Sequence, residues 1–142
     1  MTKFLTTFAV AATVSIAAFA IPASAQMMES QTMLSAQEEV PPTDSAAKGT
    51  VDLGVDAAAK KITWTIKSEG LTGPATAAHF HGPAERGANA PPVVDITSMM
   101  ETGSATLTDQ QLADLQAGKL YVNIHTAKFP DGEVRGQIKA MK

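Results

Sequence analysis

The chain has 142 residues, of which 11 are basic and 14 acidic, and its formal net charge at pH 7 is −3. Because it is mildly acidic and has no basic run, it is a poor candidate for binding nucleic acid or anionic membrane surfaces, and we expect no nucleic-acid partner. It contains no cysteine. Disulfides, thiolate metal sites and cysteine nucleophiles are therefore excluded.

Residues 1–25 have the three parts of a cleavable secretory signal peptide. A lysine supplies the positive charge, residues 4–21 are apolar apart from small hydroxyl side chains, and residues 23–25 form a small-residue cleavage site. The alternative is an uncleaved anchor, since about 18 apolar residues approach the length that spans a membrane. Pro22 and the cleavage site favour cleavage before Gln26. We therefore expect a periplasmic or secreted protein with no transmembrane segment after cleavage.

The remaining length is that of one domain with a single core. Residues 26–32 are polar and methionine-containing, so we predict a flexible leader there and a β domain over residues 33–140. Eight segments show the composition and turn boundaries of short strands. They are residues 33–40, 49–55, 61–68, 75–81, 93–96, 103–107, 120–126 and 133–140.

The strand at 61–68 has the clearest pattern, because Ile62, Trp64 and Ile66 alternate with polar residues. We expect Trp64 at the centre of the core. Thr108 and Gln111 form a capping-box pattern, which predicts one short connector helix. The sequence thus indicates an all-β fold, either an antiparallel β-sandwich or a Greek-key barrel of seven to eight strands.

All three histidines fall in two predicted strands. His79 and His81 are separated by one residue, so both project from the same face of a strand. His125 ends the strand at 120–126. If the two strands are close in space, three imidazoles converge, and three nitrogens can hold zinc or copper with one position left open. Copper has the higher affinity among divalent ions, and zinc is the second choice.

Asn123 lies on the same face as His125, so we predict that its amide orients this ligand by a hydrogen bond. The competing interpretation is that the histidines bind backbone and carboxylate groups around the loop at 82–92. A second alternative is a soft thioether site for Cu(I), built from the several methionines. For Arg135 we expect a structural role, in an ion pair with Glu133 or with Glu38 or Glu39.

Motifs for hydrolytic chemistry are absent from the sequence. It contains no Gly-x-Ser-x-Gly elbow, no phosphate-binding glycine-rich loop and no His-Glu-x-x-His pair. The adjacent carboxylates of Glu38 and Glu39 would point to opposite faces of a strand, which argues against a paired acid and base. We therefore do not expect an enzyme, although a metal-dependent redox activity is a weaker alternative.

Five segments together resemble a known family, the CHRD domain first described in chordin. They are residues 34–42, 70–73, 78–84, 120–126 and 129–138. The resemblance implies an extracytoplasmic, β-rich, immunoglobulin-like domain of the kind found alone in bacterial secreted proteins. The family pattern includes histidines at the positions of His79, His81 and His125 and an asparagine at Asn123, which strengthens the metal hypothesis. A more distant resemblance to copper-zinc superoxide dismutase fails, because that enzyme needs more than three histidines.

Two functions from different classes follow. The first is an extracytoplasmic metal-binding module, with a copper ion held by His79, His81 and His125 for capture, storage or delivery. The second is a metal-free module of the cell envelope that binds a protein or glycan partner, in which the histidines only organise a loop.

Overall fold

The computed structural model describes residues 27–141, so the predicted signal peptide at 1–25 lies outside the described residues. The described chain folds into eight antiparallel strands in one nearly closed, barrel-like sheet, with one α-helix and two 3-10 turns. The all-β prediction is confirmed, and of its two alternatives the structure matches the barrel. Among residues 27–141 no helix is long and apolar enough to cross a membrane.

The strands follow one another along the sheet in the order β5-β4-β7-β8-β1-β2-β3-β6. Their bounds are β1 Met27–Ser35, β2 Lys48–Asp56, β3 Lys61–Glu69, β4 Ala75–His81, β5 Pro92–Asp95, β6 Thr102–Thr106, β7 Tyr121–Thr126 and β8 Val134–Gln137. The α-helix, α1, spans Asp109–Gln116, and the 3-10 turns η1 and η2 span Ala36–Glu38 and Thr97–Met99.

The two edge strands of the sheet, β5 and β6, are consecutive in the chain and are joined by the segment that contains η2. This segment bonds to both of the strands next to the edges, β4 and β3. On one side Ile96 N–H donates to the carbonyl of Ala78 in β4, at 3.0 Å. On the other, the Trp64 indole of β3 donates to the carbonyl of Met99, at 2.8 Å. Trp64 is buried and packs edge-on against Phe80 with ring centroids 5.6 Å apart, so the predicted position of this tryptophan in the core is confirmed.

The prediction of a flexible leader at 26–32 is wrong for residues 27–32, which form the first part of β1. Met27 pairs with Asp56 and the ladder with β2 continues without a break to Ser35. Polar residues with weak strand propensity are held here by pairing with β2, and tertiary context overrides propensity. The strand also ends earlier than predicted, because residues 36–38 turn and both Glu39 and Thr43 donate to the carbonyl of Ala36.

The predicted capping box of α1 is confirmed. The Thr108 hydroxyl accepts from the Gln111 N–H at 3.2 Å, and the Gln111 side chain accepts from the Thr108 N–H at 2.9 Å. Leu115 is fully buried and anchors the helix to the core. The helix connects β6 to β7 and so fixes where β7, the central strand of the histidine site, enters the sheet.

Candidate metal centre

One row of directly paired residues crosses five neighbouring strands. Asp95 of β5 pairs with His79 of β4, His79 pairs with Asn123 of β7, Asn123 pairs with Arg135 of β8, and Arg135 pairs with Ser35 of β1. Directly paired residues place their side chains on the same face of a sheet. The row therefore lies on the face opposite to Val122 and Ile124, which point into the core.

This outer face is buried locally, although the outer face of β1 to β3 is exposed. Every residue of β7 is buried, because the segments at 36–47 and 82–92 cover its outer side. Three contacts anchor the covering loop at 82–92. Arg86 forms a bidentate ion pair with Glu38 at 2.7 and 2.8 Å, Asn89 donates to the Val40 carbonyl, and the Ala88 carbonyl accepts from Arg135. The histidine site is thus enclosed by fixed backbone.

The structure pairs β4 with β7, so the condition for convergence is met and the three imidazoles lie together. One ring nitrogen from each of His79, His81 and His125 lies within 4.8 Å of the other two. The closest pair is His79 Nδ1 and His125 Nε2, at 3.1 Å. His81 and His125 are buried and His79 is partly exposed, so one side of the cluster faces solvent. In the described chain no carboxylate joins this converging set.

Two backbone carbonyls fix the tautomers of the buried histidines. The Ala90 carbonyl lies 2.9 Å from His81 Nδ1, and the Pro130 carbonyl lies 2.8 Å from His125 Nδ1. A carbonyl oxygen can only accept, so both Nδ1 atoms carry hydrogen and donate. In the neutral rings the Nε2 atoms therefore hold lone pairs, and the His125 lone pair points towards His79.

On the other side of the His79 ring, Asp95 Oδ1 lies 3.9 Å from Nε2, which is longer than a hydrogen bond. Hydrogen bonds from the Thr97 side chain and backbone hold the pKa of Asp95 below its usual value, so this carboxyl is ionised at neutral pH. Since neutral His125 offers a lone pair on Nε2, the 3.1 Å contact is a hydrogen bond that His79 Nδ1–H donates to it. One hydrogen therefore lies in the centre of the cluster.

Burial keeps the two inner imidazoles neutral. It lowers the pKa of His81, although the hydrogen bond to Ala90 opposes the shift, and it lowers the pKa of His125 against the bond to Pro130. The neutral form of histidine is the one that ligates metals. Both rings are therefore held ready to bind a cation at neutral pH.

Asn123 is close to the site but does not make the predicted bond to His125, whose Nδ1 is bound by Pro130 instead. Its amide lies beside His81 and the carboxyl of Glu39, and its Nδ2 donates to the Asp131 carbonyl at 3.4 Å. In the register of the sheet, Asn123 is paired with His79, whereas His125 is paired with Ala77, two residues further along the ladder.

Sequence reasoning missed Glu39 and Tyr121 as parts of the site. Glu39 is only 6% exposed, and burial raises its pKa to about 7 although Arg135 and Asn123 oppose the shift. The Tyr121 ring stacks on His81 and its hydroxyl bonds to Ala90. The Pro41-Pro42 pair was a usable signal for Glu39, because it marked the turn that carries this carboxyl inward.

Arg135 has a different role from the predicted ion pair. Glu38 pairs with Arg86, and Glu133 is held by hydroxyl and amide groups. The Arg135 guanidinium donates to Ala88 and Asn89 and lies 3.4 Å from the centroid of the Tyr121 ring. Since β7 lies between β4 and β8, the tyrosine ring sits between this cation and His81.

Together the fold and the site define a small all-β domain with a covered three-histidine cluster on the outside of its sheet. The chain belongs to the CHRD domain family, whose model matches residues 30–138. This family indicates an extracellular module and is not known for enzymes. No curated protein and no solved structure matches the chain significantly.

Proposed function

We propose that this CHRD domain is an extracytoplasmic metal-binding module in which His79, His81 and His125 hold one copper ion. The observation that supports it most directly is the pair of ring nitrogens of His79 and His125, 3.1 Å apart. In the metal-free protein a hydrogen on His79 Nδ1 bridges this pair, because the bond to Pro130 leaves a lone pair on His125 Nε2. A metal ion can take the place of this hydrogen, since both ring nitrogens are then free to ligate it.

The competing state of this pair is the metal-free hydrogen bond itself, with the hydrogen of neutral His79 on Nδ1. With a metal ion in its place, that hydrogen would move to Nε2, on the side of the ring where Asp95 lies. A carboxylate near the outer nitrogen is the usual partner of a histidine ligand.

The spacing also suits a metal. Nitrogens bound tetrahedrally at 2.0–2.1 Å are roughly 3.3 Å apart. The closest pair, His79 and His125, is already near this distance, and the third ring nitrogen lies within 4.8 Å. Three protein nitrogens leave one position open.

An all-imidazole ligand set accepts both copper and zinc, and Cu(II) stands above Zn(II) in the affinity order of divalent ions. We therefore propose copper first and zinc second. With no carboxylate ligand and no recognised catalytic motif, the proposed role is capture, storage or delivery of the ion. The predicted signal peptide and the family both support a periplasmic or secreted location.

The test is isothermal titration of the metal-free protein with Cu(II) and Zn(II). The wild type should bind one ion per chain, and the His79→Ala/His81→Ala/His125→Ala variant should bind none. The control is Met27→Leu/Met33→Leu/Met99→Leu, which removes three exposed thioethers and should bind like the wild type. Loss of binding in the methionine variant would move the site to the thioethers. A histidine variant that still binds would disprove the ligand assignment.

A further inference from the structure

Three buried acceptor atoms near the histidine cluster have no hydrogen-bond partner among the described residues. They are Glu39 Oε1, Asn123 Oδ1 and His81 Nε2, and they belong to side chains 6%, 3% and 8% exposed. Five such atoms occur in the described chain, so most of them are gathered here. Each buried acceptor without a donor costs about 1–3 kcal/mol, and such a group of atoms needs an explanation.

The three groups are neighbours. A Cβ atom on Gly132 would collide with both Glu39 Oε1 and the Asn123 amide nitrogen, so the two side chains meet over this glycine. On its other side the Asn123 amide lies beside His81. The amide therefore sits between the Glu39 carboxyl and the imidazole.

Each of the three atoms is an acceptor by its surroundings. Asn123 Nδ2 donates to the Asp131 carbonyl at 3.4 Å, which assigns the opposite atom, Oδ1, as the oxygen. The Nδ1–H of His81 is used by Ala90, so Nε2 holds the lone pair. At pH 8, above its pKa of about 7, the Glu39 carboxyl is ionised and is the third acceptor. A polar pocket with only acceptors needs a cation or a donor of hydrogen bonds.

We infer that Glu39 and Asn123 hold a water molecule on the open position of the histidine-bound metal, each accepting one of its hydrogen bonds. This rests on the proposed function. The carboxyl is outside the converging ligand set, so it acts through a water rather than as a ligand. The metal takes the lone pair of His81, and its water supplies donors to the other two acceptors.

The consequence is selectivity at the open position. A ligand that donates two hydrogen bonds, such as water, satisfies both acceptors when it binds the metal. An aprotic anion such as azide has no hydrogen to donate and meets the Glu39 carboxylate directly. The pocket should thus exclude aprotic anions from the metal, with Glu39 as the residue that sets this specificity.

The experiment compares azide binding to the Cu(II)-loaded wild type, Glu39→Gln and Glu69→Gln by absorption titration at pH 8. Glu69→Gln removes an equal charge from an exposed ion pair with Lys48, away from the covering loop. We expect all three proteins to bind one copper per chain. Azide should bind about tenfold more tightly to Glu39→Gln, or about 1.4 kcal/mol, with no change in Glu69→Gln.

Equal azide affinity in all three loaded proteins would overturn the inference and leave the proposed function standing. Loss of copper in Glu39→Gln alone would also overturn it, because the carboxyl would then be a ligand. No copper in the wild type would overturn both.

Discussion

His81 and Tyr121 face each other across β4 and β7, and their rings stack with centroids 4.8 Å apart and 6° between their planes. The tyrosine hydroxyl donates to the Ala90 carbonyl and accepts from the Ala90 N–H. The same carbonyl accepts from His81. The Tyr121 ring thus orients His81, a proposed ligand. Its hydroxyl also holds Ala90, whose carbonyl sets the tautomer of His81.

Shortening this aromatic side chain should weaken metal binding without removing a ligand. We expect Tyr121→Leu to lower the Cu(II) affinity about tenfold, because outer partners that orient ligands have effects of this size. Tyr121→Phe keeps the stack and should lose about 1 kcal/mol of stability from its two hydrogen bonds, with affinity close to wild type. Calorimetric titration and thermal unfolding measure both effects. Equal affinity of the leucine variant and the wild type would show that the stack does not position His81.

Glu133 should control acid stability. This carboxyl is fully buried and accepts from Ser45, Thr126 and twice from Thr72, at 2.6–2.9 Å. Burial by itself would raise the pKa of Glu133, but these hydrogen bonds lower it by a larger amount, so the net pKa is below the usual 4.5. A lowered folded pKa gives stability that is present above pH 4.5 and is lost as the pH falls through the folded pKa.

We therefore expect Glu133→Gln to cost about 3 kcal/mol at pH 7 and progressively less below pH 4.5, measured by denaturant unfolding. Glu69→Gln is the control, since its ion pair with Lys48 is exposed and should contribute less than about 1 kcal/mol. A Glu133 variant as stable as the wild type at pH 7 would contradict the assigned hydrogen-bond network.

Glu39 should have the opposite pH dependence. Its pKa in the folded protein is raised to about 7 from 4.5. Below pH 4.5 the carboxyl is neutral in the folded and unfolded states, so it does not reduce the stability of the metal-free protein. As the pH rises above 4.5 it ionises more easily in the unfolded state, and the free energy of unfolding falls. Since one pKa unit corresponds to about 1.4 kcal/mol, Glu39→Gln should stabilise the metal-free protein by up to about 3 kcal/mol at pH 8. Unfolding at pH 4 and pH 8 measures this, with Glu69→Gln as control, since its ion pair is exposed. No gain at pH 8 would mean that this carboxyl is not held in a desolvated pocket.

Gly103 should tolerate no side chain, because a Cβ atom there would lie 2.5 Å from the Trp64 ring and 2.9 Å from the Met99 side chain. We expect Gly103→Ala to destabilise the fold by about 1–3 kcal/mol through overpacking and to shift the tryptophan fluorescence. Gly73→Ala is the matched control, since nothing lies within 4 Å of the added methyl group. An unchanged Gly103→Ala variant would contradict the close packing of η2 on β3.

The fold was largely predictable because its signals are local. The alternation of Ile62, Trp64 and Ile66 and the capping box at Thr108 both depend on neighbours in sequence, and the structure confirms both. Residues 27–32 carry no such signal. Their strand is formed by pairing with β2, a partner about 25 positions away, so local propensity predicted a leader.

The site was predictable in part for the same reason. The spacing of His79 and His81 placed both on one face, but the approach of β7 depends on the order of the whole sheet. Glu39 reaches the cluster through a turn, and the carbonyls of Ala90 and Pro130 reach it through loops. Such long-range contacts leave no periodic pattern in the sequence, and so the acceptors that fix the tautomers could not be foreseen.

The most direct test of the metal hypothesis is the metal content of the protein purified from its native host without added metal. Mass spectrometry should find close to one copper or zinc ion per chain in the wild type, and none in the His79→Ala/His81→Ala/His125→Ala variant. No metal in either protein would contradict the account. The histidines would then be structural, and a metal-free interaction module would be the better explanation.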